Sequence, residues 1–269
     1  MTTDTSTPLR AHCTAAADGS ITFVLADDAH ATALVLKHRK TGERLRLELA
    51  PDAVLAAKTP LAPGRWDVFA DCGEYGSRRV ESGIRDLSTL VDRTPEPASA
   101  PVAVRIPYPA KGGALAVRSW LRAPHAEAGA IVFAERGMTV EGRLYGTSLG
   151  PGAVVEARLR GTPGTVHHEP ATGESGAFAF TLPYGPLAAV GVPKDTYWDL
   201  WLLPSGERQG AVRIARILDD IAERKGIYVY PAGPADAEGR VTAVPYYTVD
   251  NDLSLRLDPV SAPRVPGPR

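Results

Sequence analysis

Cysteine is nearly absent from this 269-residue chain: Cys13 and Cys72 are its only two. Two thiols are too few to frame a chain of this size, which excludes a disulfide-built scaffold. Both fall in the first half and could in principle sit on facing strands, but free buried thiols are the expectation. Long apolar runs are missing as well. No stretch approaches the roughly 20 residues that span a bilayer. Residues 1–10 are polar and threonine-rich, with no apolar core of a signal peptide. The reading that follows is cytoplasmic, with no membrane span. An excess of one charge is also lacking, since 30 Lys and Arg against 31 Asp and Glu leave a net charge of −1. That balance speaks against a nucleic-acid partner. Long helical periodicity is scarce. What abounds is 26 glycines and 24 prolines in a chain that is 44% hydrophobic and 23% charged. A folded, turn-rich, all-β protein is implied.

An internal repeat is the strongest positive signal. Pro107-Tyr108 through Leu115-Ala116-Val117-Arg118 aligns without gaps on Pro245-Tyr246 through Leu253-Ser254-Leu255-Arg256. Upstream, Arg65-Trp66-Asp67-Val68-Phe69 matches Tyr197-Trp198-Asp199-Leu200-Trp201. Earlier still, Ile21-Thr22-Phe23 matches Met138-Thr139-Val140, and Ala33-Leu34-Val35 matches Ala153-Val154-Val155. The same order holds in both halves. The Pro-rich stretch 94–101 precedes a block that also closes the second copy, so it reads as an internal loop rather than a linker. Its counterpart is 231–240. The expected organisation is therefore copy one over 11–122 and copy two over 123–258, between a disordered start (1–10) and tail (259–269). Period-two alternation in Arg44 to Leu49, Ala177 to Leu182 and Leu253 to Leu257 supplies strands. About seven strands per copy fit two tandem immunoglobulin-like β-sandwiches arising by duplication. Residues 80–93 and 212–225 allow a short amphipathic helix, but strand followed by an irregular turn is preferred.

Candidate chemistry is thin. Asp250-Asn251-Asp252 offers oxygens suited to calcium, yet lacks the later glycine and distal glutamate of an EF-hand, and a hairpin turn explains it. His167 and His168 are neighbours on a strand and point to opposite faces. Asp219, Asp220 and Glu223 resemble a solvated face more than a facing carboxylate pair. The run Gly146 to Gly152 lacks the Lys-Ser/Thr of a phosphate loop, and no G-x-S-x-G occurs. No catalytic, cofactor-binding or metal-ligating residue is assigned, and no cofactor. Among the aromatics, Trp66 and Trp198 recur in both copies and suit core anchors. Trp198 and Trp201 are three apart on one strand, so one of them faces away from the core. Trp120, Trp201 and Tyr247 are the candidate ligand or partner surface.

The blocks R-S-W-L-R (118–122), V-E-G-R-L-Y-G (140–146), Y-W-D-L-W-L (197–202) and P-Y-Y-T-V-D-N-D-L-S (245–254) carry a resemblance. Together they resemble the non-catalytic β-rich regions attached to actinobacterial glycosyltransferases and CDP-glycerol glycerophosphotransferase-like enzymes of cell-wall glycopolymer synthesis. In those enzymes a separate GT-A-type or GT-B-type domain carries the nucleotide-sugar chemistry, and its D-x-D and βα pattern are not found here. The resemblance implies a non-catalytic accessory or scaffold protein of a transferase system, in glycopolymer or natural-product glycosylation. Its partner would be a transferase or a second copy of the chain. A carbohydrate-binding module is the alternative, and a transferase with its site between the two copies is a third reading.

Overall fold

The computed structural model describes residues 8–26, 30–91, 93–96, 98 and 100–260. The expected disordered segments fall largely outside this set. Of the first, Leu9 is buried and Arg10 opens a strand; of the second, Pro259 closes one. The chain is all-β, and its one α-helix among the described residues is the four-residue Gly185–Ala188. It forms two compact units that divide between Arg122 and Ala123, with Ile217–Ala222 grouped with the first.

In the first unit the strands are β1 (Arg10–Ala15), β2 (Ile21–Leu25), β3 (Ala33–His38), β4 (Arg44–Glu48), β5 (Ala53–Leu55), β6 (Gly64–Asp71), β7 (Ser77–Arg79), β8 (Glu81–Asp86), β9 (Val102–Pro109) and β10 (Leu115–Arg122). They build one sheet in the order β5-β2-β1-β8 and a second in the order β4-β3-β6-β10-β9, with β7 on the free half of one β6 edge. Alternate residues turn inward, as a period of two requires: Ala11, Cys13, Ile21 and Phe23 from one sheet, Leu34, Leu36, Trp66 and Val68 from the other, all buried. Trp66 donates from Nε1 to the Ala62 carbonyl at 2.9 Å, and the His38 ring meets it edge-on at 5.0 Å. Gly64 (φ 145°) makes room for that ring, because a Cβ there would lie 2.1 Å from His38 Nε2. Cys13 and Cys72 are free and buried.

The second unit contains β11 (His125–Ala134), β12 (Gly137–Tyr145), β13 (Val154–Leu159), β14 (Val166–Thr172), β15 (Ala177–Pro183), β16 (Thr196–Leu203), β17 (Val212–Ala215), β18 (Gly233–Pro234), β19 (Val241–Tyr247) and β20 (Leu253–Pro259). Its pairing repeats that of the first. Val117 lies opposite Trp66 on one side and Pro107 on the other; Leu255 lies opposite Trp198 and Pro245 in the same way. Leu36 faces Val68 where Ala157 faces Leu200. β1 runs parallel to β8, and β11 runs parallel to β17.

The joins between sheets differ, and they correct the expectation of an open sandwich here. In the first unit, separate strands β7 and β8 pair with β6 and β1. In the second, the single strand β17 pairs with both β16 and β11. On the other side β14 pairs with β15 through Ala171–Phe180 and Thr172–Ala179. With β13 paired to β16, the ring β13-β14-β15-β12-β11-β17-β16 closes into a seven-stranded barrel, from which β20, β19 and β18 continue. Full pairing removes the exposed edges that an open sheet leaves. The barrel core gathers Val140, Phe178, Phe180, Trp198, Leu200 and Leu255.

Segment 212–225 and the described residues of 80–93 both begin as strands, β17 and β8, and continue irregularly, with a short 3₁₀ turn at Ser88–Leu90 in the latter. Their apolar residues follow a strand's needs before a helix can nucleate.

Candidate functional site on the outer face of the second unit

Because Val155, Ala157, Trp198, Leu200 and Leu202 fill the barrel, their neighbours Glu156, Arg158, Tyr197, Asp199 and Trp201 point outward. These residues form an interlocked layer. Arg160 grips Asp199 with two bonds, Nη2 to Oδ1 at 2.5 Å and Nε to Oδ2 at 3.2 Å. Arg213, nearly buried, donates to Asp199 Oδ1 at 2.9 Å, to Ser254 Oγ at 2.7 Å and to the carbonyls of Leu200 and Leu253. Burial pushes the Asp199 carboxyl up, but Arg160, Arg213 and Ser254 outweigh it and hold the group below the usual aspartate range.

That arrangement has a twin. Asp67 stands at the same register in the first unit and takes Arg39 at 2.7 Å and Arg79 at 3.1 Å. Arg–Asp–Arg is thus part of the repeated architecture. The second unit adds a cluster that the first lacks. Glu156 lies between Trp201 and His168 in the pairing, where the first unit places Val35 between Phe69 and Arg46. Glu156 is fully buried, and its carboxylate accepts Arg158 Nε at 2.5 Å, Arg208 Nε at 3.0 Å and meets His168 Nε2 at 2.8 Å. Burial alone would raise its pKa; the three bonds win and hold it below the usual glutamate range. Arg158 also stacks on Trp201, its Cζ 4.3 Å from the ring centroid. Arg158, Arg208 and the turn Gly161–Val166 line a cleft of about 510 Å³.

A second cleft of about 240 Å³ opens on the same unit. Tyr197, Tyr228, Tyr230 and Tyr246 wall it, with Lys225 and Arg256 also on its lining. Tyr197 and Tyr246 meet edge-on at 5.8 Å, and Arg160 lies 5.1 Å from the Tyr197 ring. Tyr228 and Tyr230 rest on Tyr247, at 5.7 and 6.3 Å. Beneath them is Arg224, fully buried, its Cζ 5.2 Å from Tyr228 and 5.8 Å from Tyr247. Asn251 anchors this base: its Oδ1 accepts the Arg224 amide at 3.1 Å, and its carbonyl accepts the Arg216 amide at 2.9 Å. The 250–252 stretch is accordingly a turn, with Asn251 at φ 60°.

Of the three residues expected at a ligand surface, Trp201 is half-buried on the outer face, while Trp120 and Tyr247 are buried. Arg118 lies over the Trp120 ring at 4.9 Å. For the adjacent tyrosines, the outward residue is Tyr246 and the inward one Tyr247, a difference of one position that reverses the face. His167 bonds Glu169 at 2.7 Å, and so parts company with His168 as alternation requires. The Glu156 cluster escaped sequence reasoning, although charges at 156, 158 and 160 at period two marked an outward face.

Fold and site define an all-β chain with a charged and aromatic outer surface. No protein-family model matches the chain, and no curated protein matches it. Among solved structures, the chain is similar to a crystal structure of S. aureus TarS 217-571 at 15% identity and a TM-score of 0.40, covering 52% of this chain and 39% of that one. A structure of S. aureus TarS is similar at 14% identity and a TM-score of 0.39, covering 61% of this chain and 29% of that one. This chain therefore corresponds to well under half the length of either. No helix among the described residues is long and apolar enough to cross a membrane.

Proposed function

We propose that the chain is a non-catalytic binding module serving a transferase system of cell-wall glycopolymer or natural-product glycosylation, and that its second unit holds a carbohydrate in the tyrosine cleft. The observation that carries this reading is the cleft wall. Tyr197, Tyr228, Tyr230 and Tyr246 offer aromatic surface for the C–H faces of a sugar, and the Tyr246 hydroxyl is itself buried. Tyr197 on β16 and Tyr246 on β19 flank β20 in one hydrogen-bonded sheet, so their spacing is fixed before any ligand arrives. The sequence blocks at 118–122, 140–146, 197–202 and 245–254 support the transferase setting, with the transferase or a second copy as partner. The matched registers support an origin by duplication of one immunoglobulin-like sandwich over 11–122 and 123–258, the second copy having closed into a barrel.

Calorimetric titration of the full chain with a panel of neutral glycan fragments tests the ligand. Saturable binding that weakens about tenfold, or ~1.4 kcal/mol, in Tyr228→Ala or Tyr230→Ala is expected. Flat titrations across the panel would remove the carbohydrate reading.

A further inference from the structure

The Glu156 cluster asks for an explanation that packing does not give. Two units share one strand pairing, and residues common to both serve the pairing. Arg39, Asp67 and Arg79 of the first unit correspond to Arg160, Asp199 and Arg213 of the second, and are architecture on that ground. Glu156, Arg158, His168 and Arg208 replace Val35, Lys37 and Arg46 and add one residue from the β16–β17 loop. An apolar valine satisfies the same place in the sheet. A fully buried carboxylate carrying three nitrogen partners is a costly substitute, since taking charges out of water is unfavourable unless the site uses them.

Its geometry shows what it achieves. Both arginines spend Nε on Glu156, which fixes two planar forks in place with their Nη groups left for another partner. Trp201 braces one fork from below. With Glu156 ionised, the pair retains a surplus of positive charge. Both arginines line the 510 Å³ cleft, and Arg208 is 61% exposed at its side chain. Thr162 and Thr165 of the turn bring hydroxyl donors to the same lining. One guanidinium suffices for a carboxylate. Two forks plus hydroxyls match an anion with three or four oxygens.

We propose that Arg158 and Arg208 form a binding site for a phosphoryl group, held in the cleft they share with the turn Gly161–Val166. Glu156 is the positioning residue and Trp201 the support. The group is either a phosphate monoester or free phosphate, or the diester link of a longer molecule.

The probes are inorganic phosphate and dimethyl phosphate, titrated into the full chain at constant ionic strength by calorimetry, with tryptophan fluorescence read in parallel. Saturation with at least one probe is expected, with a change in Trp201 emission as Arg158 engages the anion. Saturation with dimethyl phosphate alone assigns the site to a diester; saturation by inorganic phosphate assigns it to a terminal or free phosphate. Arg208→Gln, a surface change, should weaken binding about tenfold or more, as loss of a charge-assisted contact implies. Arg79→Gln in the first unit should leave it unchanged. Arg158→Gln should act like Arg208→Gln and also abolish the fluorescence response. If neither probe saturates, or if Arg208→Gln binds as the parent does with an unchanged melting temperature, the proposal is overturned. Neutral glycan binding by Arg208→Gln should match the parent, so failure here is distinct from failure at the tyrosine cleft.

Discussion

The first unit ends its four-stranded sheet at β5 and β8, whereas the second carries the equivalent β15 and β17 across to the opposite sheet. Nine strands of the second unit have counterparts in the first, and the β14–β15 pairing, together with the single β17 in place of β7 and β8, separates a two-sheet arrangement from a closed ring. The lesson is that one pairing scheme accommodates both closures, and that the outer face can change chemistry without disturbing the inner one. Inside, tryptophan meets tryptophan position for position. Outside, Val35 becomes Glu156 and Phe69 becomes Trp201.

The comparison is broken most severely at its anchors. Trp66→Ala and Trp198→Ala should each cost about 3–5 kcal/mol, the range for emptying a large buried site, measured by denaturant unfolding. Replacement by Phe sharpens the contrast. Trp66→Phe gives up the bond from Nε1 to the Ala62 carbonyl, whereas the Trp198 Nε1 has no hydrogen-bond partner among the described residues. The first variant should therefore lose about 1 kcal/mol more than the second. Equal losses would show that the indole nitrogen plays no part in either unit.

Next in size are the paired aspartates. Asp199→Asn takes from Arg213, only 8% exposed at its side chain, the nearer of its two carboxylates, Asp252 lying at 3.9 Å, and should cost about 2 kcal/mol. Asp67→Asn releases Arg39 and Arg79, which are 34% and 51% exposed, and should cost under about 1 kcal/mol. Acid should also act through the buried pairs of the barrel. Glu156 and Asp199 are both held below their ordinary values of 4.5 and 3.8, so the folded barrel binds fewer protons than its unfolded chain. Their stabilisation is fully present above those values and is lost as pH falls through them toward the depressed ones. Glu156→Gln should lower stability at neutral pH and flatten its fall on acidification, followed by near-UV circular dichroism. An unaltered acid profile would show that Glu156 is not held in its ionised form. Smallest is the thiol. Burial pushes Cys13 up to about 12, so alkylation at pH 8 should be slow in the native chain and fast after denaturation.

Much of the inner face was legible before any coordinates. The match of Pro107-Tyr108 to Pro245-Tyr246 places both prolines opposite equivalent residues of the neighbouring strand, and the tryptophan pentapeptides share a register. The match of Ala33 to Ala153 slips by one, since the pairings set Leu34 with Val155 instead. Closure was not legible. It depends on which distant strand edge Ala171 and Thr172 reach, and no local pattern encodes an edge partner. The surface was half legible. Trp201 faces outward as its three-residue offset from Trp198 requires, and of the two adjacent tyrosines Tyr247 is buried while Tyr246 faces out. Trp120 lies on β10, where every residue from Leu115 to Trp120 is buried, so alternation there does not mark an outer face.

Amide chemical-shift mapping on titration with phosphate tests most directly the claim that function resides in what the second unit adds. Saturable shifts confined to Glu156, Arg158, Thr162, Thr165, Trp201 and Arg208, with Val35, Lys37 and Phe69 silent, are the predicted result. Equal movement at the equivalent positions of both units, or none at either, would contradict it.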